Sequence, residues 1–116
     1  MINRAALIVR AKQPFLDWLV NMTDLEPDSV TLDSLNKDPN VYLIAEYEND
    51  QEFQEVLNDF FETIFERELY SWWQDSGDWP SDRNFEMFKN WFEIQSHSII
   101  EDLVHGPIDN QDEFFV

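Results

Sequence analysis

The 116-residue chain has no cysteine, two glycines, and seven basic side chains against 25 acidic ones. Each scarcity removes something. Without cysteine there are no disulfides, thiolate nucleophiles or thiolate metal ligands, a composition that fits a reducing compartment. Two glycines leave little material for the tight primed turns of hairpins, so a many-stranded sandwich is not expected. No Gly-x-Gly-x-x-Gly, Gly-Lys-Ser/Thr, Gly-x-Ser-x-Gly or His-Glu-x-x-His is present, which disfavours nucleotide chemistry and serine hydrolysis. The shortage of bases gives a formal charge of −18 and argues against nucleic acid or anionic lipid as a partner. Long apolar runs are missing as well. Residues 5–9 are too short for a signal core or a membrane span and lead into Arg10 and Lys12, so a cytoplasmic protein is expected.

What is present is apolar and aromatic. Hydrophobic residues make up 43% of the chain and aromatic ones 16%, too much for a disordered polymer, and the length suits one core. The clearest strand and helix signals stand side by side. Residues 41–47, Val-Tyr-Leu-Ile-Ala-Glu-Tyr, predict a largely buried strand. Asn49 or Asp50 can then cap a helix over 51–66, in which Phe53, Val56, Leu57, Phe60, Phe61, Ile64 and Phe65 follow amphipathic spacing. The pattern continues through Leu69, Tyr70, Trp72 and Trp73.

Around this unit the other elements are less regular. Residues 4–12 alternate weakly and predict a strand, with Ala5, Leu7 and Val9 on one face; paired with 41–47, its basic residues would face Glu46 and Glu48. Pro14 suits the first turn of a short helix carrying Phe15, Leu16, Trp18, Leu19 and Met22. Residues 23–40 are the least regular stretch, within which 31–35 is read as one capped helical turn rather than a short strand at 30–32. A turn cluster at 75–80 separates the central helix from a last long helix expected over 82–105, capped by Ser81 or Asp82 and stopped by His105-Gly106-Pro107. On it Phe85, Phe88, Phe92, Ile99 and Leu103 would form one apolar stripe and Met87, Trp91 and Ile94 a second. The expected fold class is therefore α+β: a helix-rich single domain, 1–107, with a two- or three-stranded sheet covered by helices. An acidic C-terminal tail follows at 108–116.

The segment Tyr42-Leu-Ile-Ala-Glu-Tyr47, together with Trp72-Trp73, Trp79-Pro80, Phe85, Trp91-Phe92 and His97-Ser98, resembles a group of small acidic bacterial proteins of unassigned function. The likeness spans about residues 41–104. It implies a bacterial cytosolic protein and brings no activity, cofactor or site residue with it.

Three sets of residues bear on function. Glu93, His97, Glu101 and His105 recur at i+4 on the expected last helix, and carboxylate with imidazole suits Zn, Fe, Mn or Ni. Ordinary surface pairs at i,i+4 explain the run more simply, and no Glu-x-x-His of the di-metal bundles occurs. Trp72 and Trp73 are adjacent and would point about 100° apart on a helix, so one of them, or Trp79 in the turn, is a candidate binding anchor. Core packing is the first explanation for the tryptophans as a group. The third set is the charge itself: residues 41–116 carry 19 acids and 3 bases, a net of −16. A solvated face accounts for some of it, yet the density exceeds what solubility requires and suits docking of a basic partner. The expected function is a non-enzymatic interaction protein, without a cofactor, whose protein partner presents a basic or apolar surface. The alternative is a metal-dependent or carboxylate-based hydrolase, since paired acids and sugar-stacking tryptophans are both available.

Overall fold

A computed structural model describes residues 1–23, 26 and 29–110. The strand expected at 4–12 is the centre of the sheet. In β1 (Ala5–Ala11) the side chains of Ala5, Leu7 and Val9 alternate into the core. Antiparallel neighbours satisfy both of its edges. On one side runs β2 (Asn40–Ile44), with Ala5 opposite Ile44 and Val9 opposite Asn40; on the other runs β3 (Phe92–His97), with Ala6 opposite His97 and Ala11 opposite Phe92. The sheet order is β2-β1-β3, so the chain folds as a helix-rich α+β single domain.

Helices cover the face that carries Leu7 and Val9. Pro14 sits in the first turn of α1 (Gln13–Thr23), which buries Phe15, Leu16 and Leu19. The expected capped turn is α2 (Leu32–Leu35), closed by a capping box in which Thr31 and Ser34 bond each other's backbone N–H. Asn36 follows and takes the place of a strand residue beside β1: its side-chain oxygen accepts from the Ala11 N–H (2.7 Å) and its amide donates to the Ala11 carbonyl (3.0 Å). The central helix is a single 23-residue element, α3 (Asp50–Trp72), capped by Asn49, whose side chain accepts from the Glu52 N–H. Its buried side, Leu57, Ile64, Phe65 and Leu69, meets the aromatic cluster of Phe15, Phe88 and Phe92, where Phe65 and Phe92 cross edge to face at 5.1 Å. Phe60, expected on that stripe, is 46% exposed.

Two expectations fail for physical reasons. The helix expected at 82–105 is only α4 (Phe85–Trp91), capped by Asn84 and not by Ser81 or Asp82. It passes directly into β3, in which Phe92, Ile94 and Ser96 turn inward while Glu93, Gln95 and His97 are exposed. The segment had satisfied two periods at once: Phe88 and Phe92 fit a helix, but Phe92, Ile94 and Ser96 also fit a strand. What decides is the edge of β1, whose backbone groups opposite β2 need partners. The Lys12 N–H bonded to the Trp91 carbonyl carries that side one step further (2.8 Å). Ile99 and Leu103, assigned to an apolar stripe, are 70% and 88% exposed.

The strand expected as largely buried at 41–47 is shorter and lies at the sheet edge. Val41 and Leu43 are 59% and 49% exposed, and among its residues only Ile44 is buried. They project from the face opposite the helices, with Ala6 and Ile8 beside them. Because pairing ends at Ile44, the bases of β1 do not meet Glu46 and Glu48; Arg10 lies opposite Glu93 and donates to Gln95 (2.6 Å). Within the irregular region at 23–40, residues 24, 25, 27 and 28 lie outside the described residues, as do 111–116 of the expected tail. Residues 101–110 are exposed and non-helical, and Gly106 there adopts φ +111°. Among the described residues no helix is long and apolar enough to cross a membrane.

Candidate functional site

The three tryptophans singled out as anchors separate into two roles. Trp73 follows the last turn of α3, and its backbone N–H caps Leu69 (2.8 Å) while its indole donates to the Asp78 carboxylate (3.0 Å). Trp79 closes the same turn from the other side, its indole donating to the Trp73 carbonyl (2.8 Å) and its ring lying 5.9 Å from the Arg83 guanidinium carbon. Trp18 of α1 adds a third indole bond, to the Asp78 carbonyl (3.2 Å). Trp73 and Trp79 therefore hold a 3-10 turn, Ser76–Asp78, against the domain. Trp72 makes no such bond and is 45% exposed. It is the most exposed of the three.

The Glu93, His97, Glu101 and His105 run, weighed above as a metal candidate, does not assemble. Its i+4 logic required a helix, and β3 instead places Glu93 and His97 on the exposed side of a strand, while Glu101 lies beyond it and accepts from the Met1 ammonium (2.8 Å). His105 belongs to the exposed stretch after that. Among the described residues no three His, Cys, Asp or Glu side chains are grouped to hold a metal ion.

What the sequence reasoning missed is Glu68. It lies on α3 among Ile64, Phe65 and Leu69 and is only 8% exposed, the one charged-type residue in the described core. Two donors reach it from the inward side of β2: the Tyr42 hydroxyl (2.5 Å) and the Asn40 amide (2.6 Å), both on Oε2. Burial pushes the Glu68 carboxyl above its ordinary value, and the two hydrogen bonds oppose that push in part. Burial, and then the neighbouring Glu68 charge, hold the Tyr42 hydroxyl above its own usual range. The available signal was positional. Glu68 stands at i+4 from Ile64 and i+7 from Phe61, an acid on the apolar stripe of α3.

Glu68 lines a cavity of about 150 Å³ between α3, β1 and the segment that leads into β2. Val9, Phe15 and Leu35 form its apolar wall; Asp38, Ser71 and Trp72 line it on the α3 and loop side. A larger cleft, about 450 Å³, is lined by Ala5, Tyr47, Ser98 and the carboxylates of Glu46, Glu48 and Glu52. Size does not favour it chemically. Glu46 and Glu48 are exposed, so water already solvates those charges, whereas Glu68 has been taken out of water.

The remaining feature is a line of charge along α3. Glu52, Glu55, Asp59, Glu62 and Glu66 recur at i, i+3, i+7, i+10 and i+14, which keeps them within one quadrant of the helix, beside the buried stripe rather than on it. At 1.5 Å rise per residue the line is about 21 Å long. Arg83 lies at its C-terminal end and bonds both Glu62 (3.1 Å) and Glu66 (2.9 Å). Comparison of the chain with family models, with curated proteins and with solved structures gives no match.

Proposed function

We propose that this protein is a non-enzymatic interaction module that docks a basic protein partner along the acidic side of α3, with Trp72 as the aromatic anchor at the C-terminal end of that helix. The observation that carries this reading is the alignment of five carboxylates on one line of a single helix. Scattered acids would serve solubility equally well. Arg83 partners Glu62 and Glu66, and the remaining three, Glu52, Glu55 and Asp59, make a field of one sign along that part of the axis, which steers and orients a partner of the opposite sign. Trp72, exposed at the C-terminal end of the same helix and on the side of Glu68, supplies the desolvated contact that charge alone does not, since aromatic side chains dominate the energy of small interfaces.

The test is a capture experiment from the lysate of the source cell, using immobilised wild-type protein and a Glu52→Gln, Glu55→Gln, Asp59→Asn variant. None of these three side chains is in the buried set, so the variant should fold. The proposal expects the wild type to retain basic proteins at low salt, to release them as salt is raised, and the variant to retain few of them. Equal capture by both proteins would contradict it.

A further inference from the structure

We propose that the cavity beneath Trp72 is a lysine pocket: it accepts a primary ammonium group on an aliphatic stem, supplied by the docked partner. The inference deepens the docking function above and rests on it only for where the lysine comes from. Three features of the cavity converge on this ligand. At about 150 Å³ it is too small for a drug-sized molecule, whose sites run to roughly 300 Å³ or more. A cavity of that volume holds about as many heavy atoms as benzene has, which matches an alkylammonium the length of a lysine side chain.

Its chemistry is divided in the way such a group requires. Val9, Phe15 and Leu35 give apolar contact for methylenes, and the Glu68 and Asp38 carboxyls give acceptors for the cationic head. Trp72 adds an aromatic ring at the exposed side, a surface to which a cation is attracted. Glu68 is the unusual member. A carboxyl held among Ile64, Phe65 and Leu69 costs stability unless something compensates its charge, and its two donors from β2 both occupy Oε2. An ammonium brought into the cavity compensates that charge directly. An alcohol of the same length would gain the apolar wall and lose the ion pair. A guanidinium is planar and broader than an ammonium and would match a site of this small volume less well.

The test uses small probes and the intact protein. Butylammonium chloride is titrated against wild type while backbone amide and indole NMR signals are followed, with n-butanol and tetramethylammonium as controls. Saturable shifts centred on Trp72, Glu68 and Ser71 with butylammonium, and at least tenfold weaker effects with either control, are expected. Glu68→Gln should weaken the butylammonium response at least tenfold. Asp38→Asn, on an exposed residue, should weaken it several-fold while leaving the fold intact, which guards against misreading a packing defect in the Glu68 variant. No saturable response, an equal response to butanol, or undiminished binding by the Glu68 and Asp38 variants would overturn the proposal. The α3 line variant separates the two claims. It should lose partner capture and keep butylammonium binding, so failure of the pocket leaves the acidic face standing, and the reverse.

Discussion

Glu68 concentrates the residue-scale chemistry. Because burial holds its folded pKa above the unfolded value near 4.5, the native state binds this proton more tightly than the unfolded chain does. The stability that follows is fully present at acid pH and declines as pH rises from the ordinary carboxylate range through the raised folded value. Glu68→Gln removes the titration and keeps an oxygen that Tyr42 and Asn40 can donate to. The difference in melting temperature, variant minus wild type, should therefore grow as pH rises from about 4.5 and level off above the raised folded value. A difference that is flat across this range, or that shrinks, would show that the carboxyl is stabilised as a charge and contradict the reading of a desolvated acid.

At the scale of elements, the tryptophans at the end of α3 divide by what they hold. Trp79→Ala removes the indole bond to the Trp73 carbonyl and the ring beside Arg83. A loss of roughly 2–3 kcal/mol is expected, below the roughly 3–5 of a fully buried aromatic. Trp72→Ala, on a 45% exposed side chain, should cost about 1 kcal/mol or less. Urea unfolding of the two variants checks the order, and a larger loss for Trp72 would remove it from the candidate anchors. Legibility in the sequence follows the same division. α1 and α3 were readable because the helical period dominated each and Pro14 and Asn49 marked their starts, α2 as one capped turn at 31–35, and β1 from a weak alternation. β3 was not, because Phe88 and Phe92 obey the helical period and the vacant edge of β1 that claims Phe92–His97 is a partner far away in sequence. With β3 misread, the Glu93–His105 run looked like a face. The Glu68 site was hidden for the opposite reason: a lone acid inside an apolar stripe is indistinguishable by composition from the many acids on the outside.

The whole molecule is set by an imbalance that the fold does not cancel. Arg83 reaches two carboxylates of the α3 line, Lys89 lies near Glu86 (3.9 Å) and the N-terminal ammonium pairs with Glu101. The two exposed pairs, at Lys89 and at the N-terminus, contribute about 0–1 kcal/mol each, while the Arg83 side chain is largely buried. Against them stand 19 acids and only 3 bases over residues 41–116. Folding brings those charges closer than the expanded chain does, so self-repulsion opposes the native state and a basic partner relieves it. The measurement that tests this most directly is the melting temperature of wild type and of the Glu52→Gln, Glu55→Gln, Asp59→Asn variant at pH 7, at about 0.01 M and about 0.15 M salt, where the screening length falls from about 30 to about 8 Å. A surface held for a basic partner predicts that wild type melts several degrees higher at the greater salt concentration. It also predicts that the variant is the more stable protein at low salt and that the gap narrows as salt is added, about 4 °C or more corresponding to roughly 1 kcal/mol in a chain of this size. If wild type is most stable at low salt and the variant is weaker than wild type there, the line of carboxylates serves the fold itself, and the account of an acidic docking face is wrong.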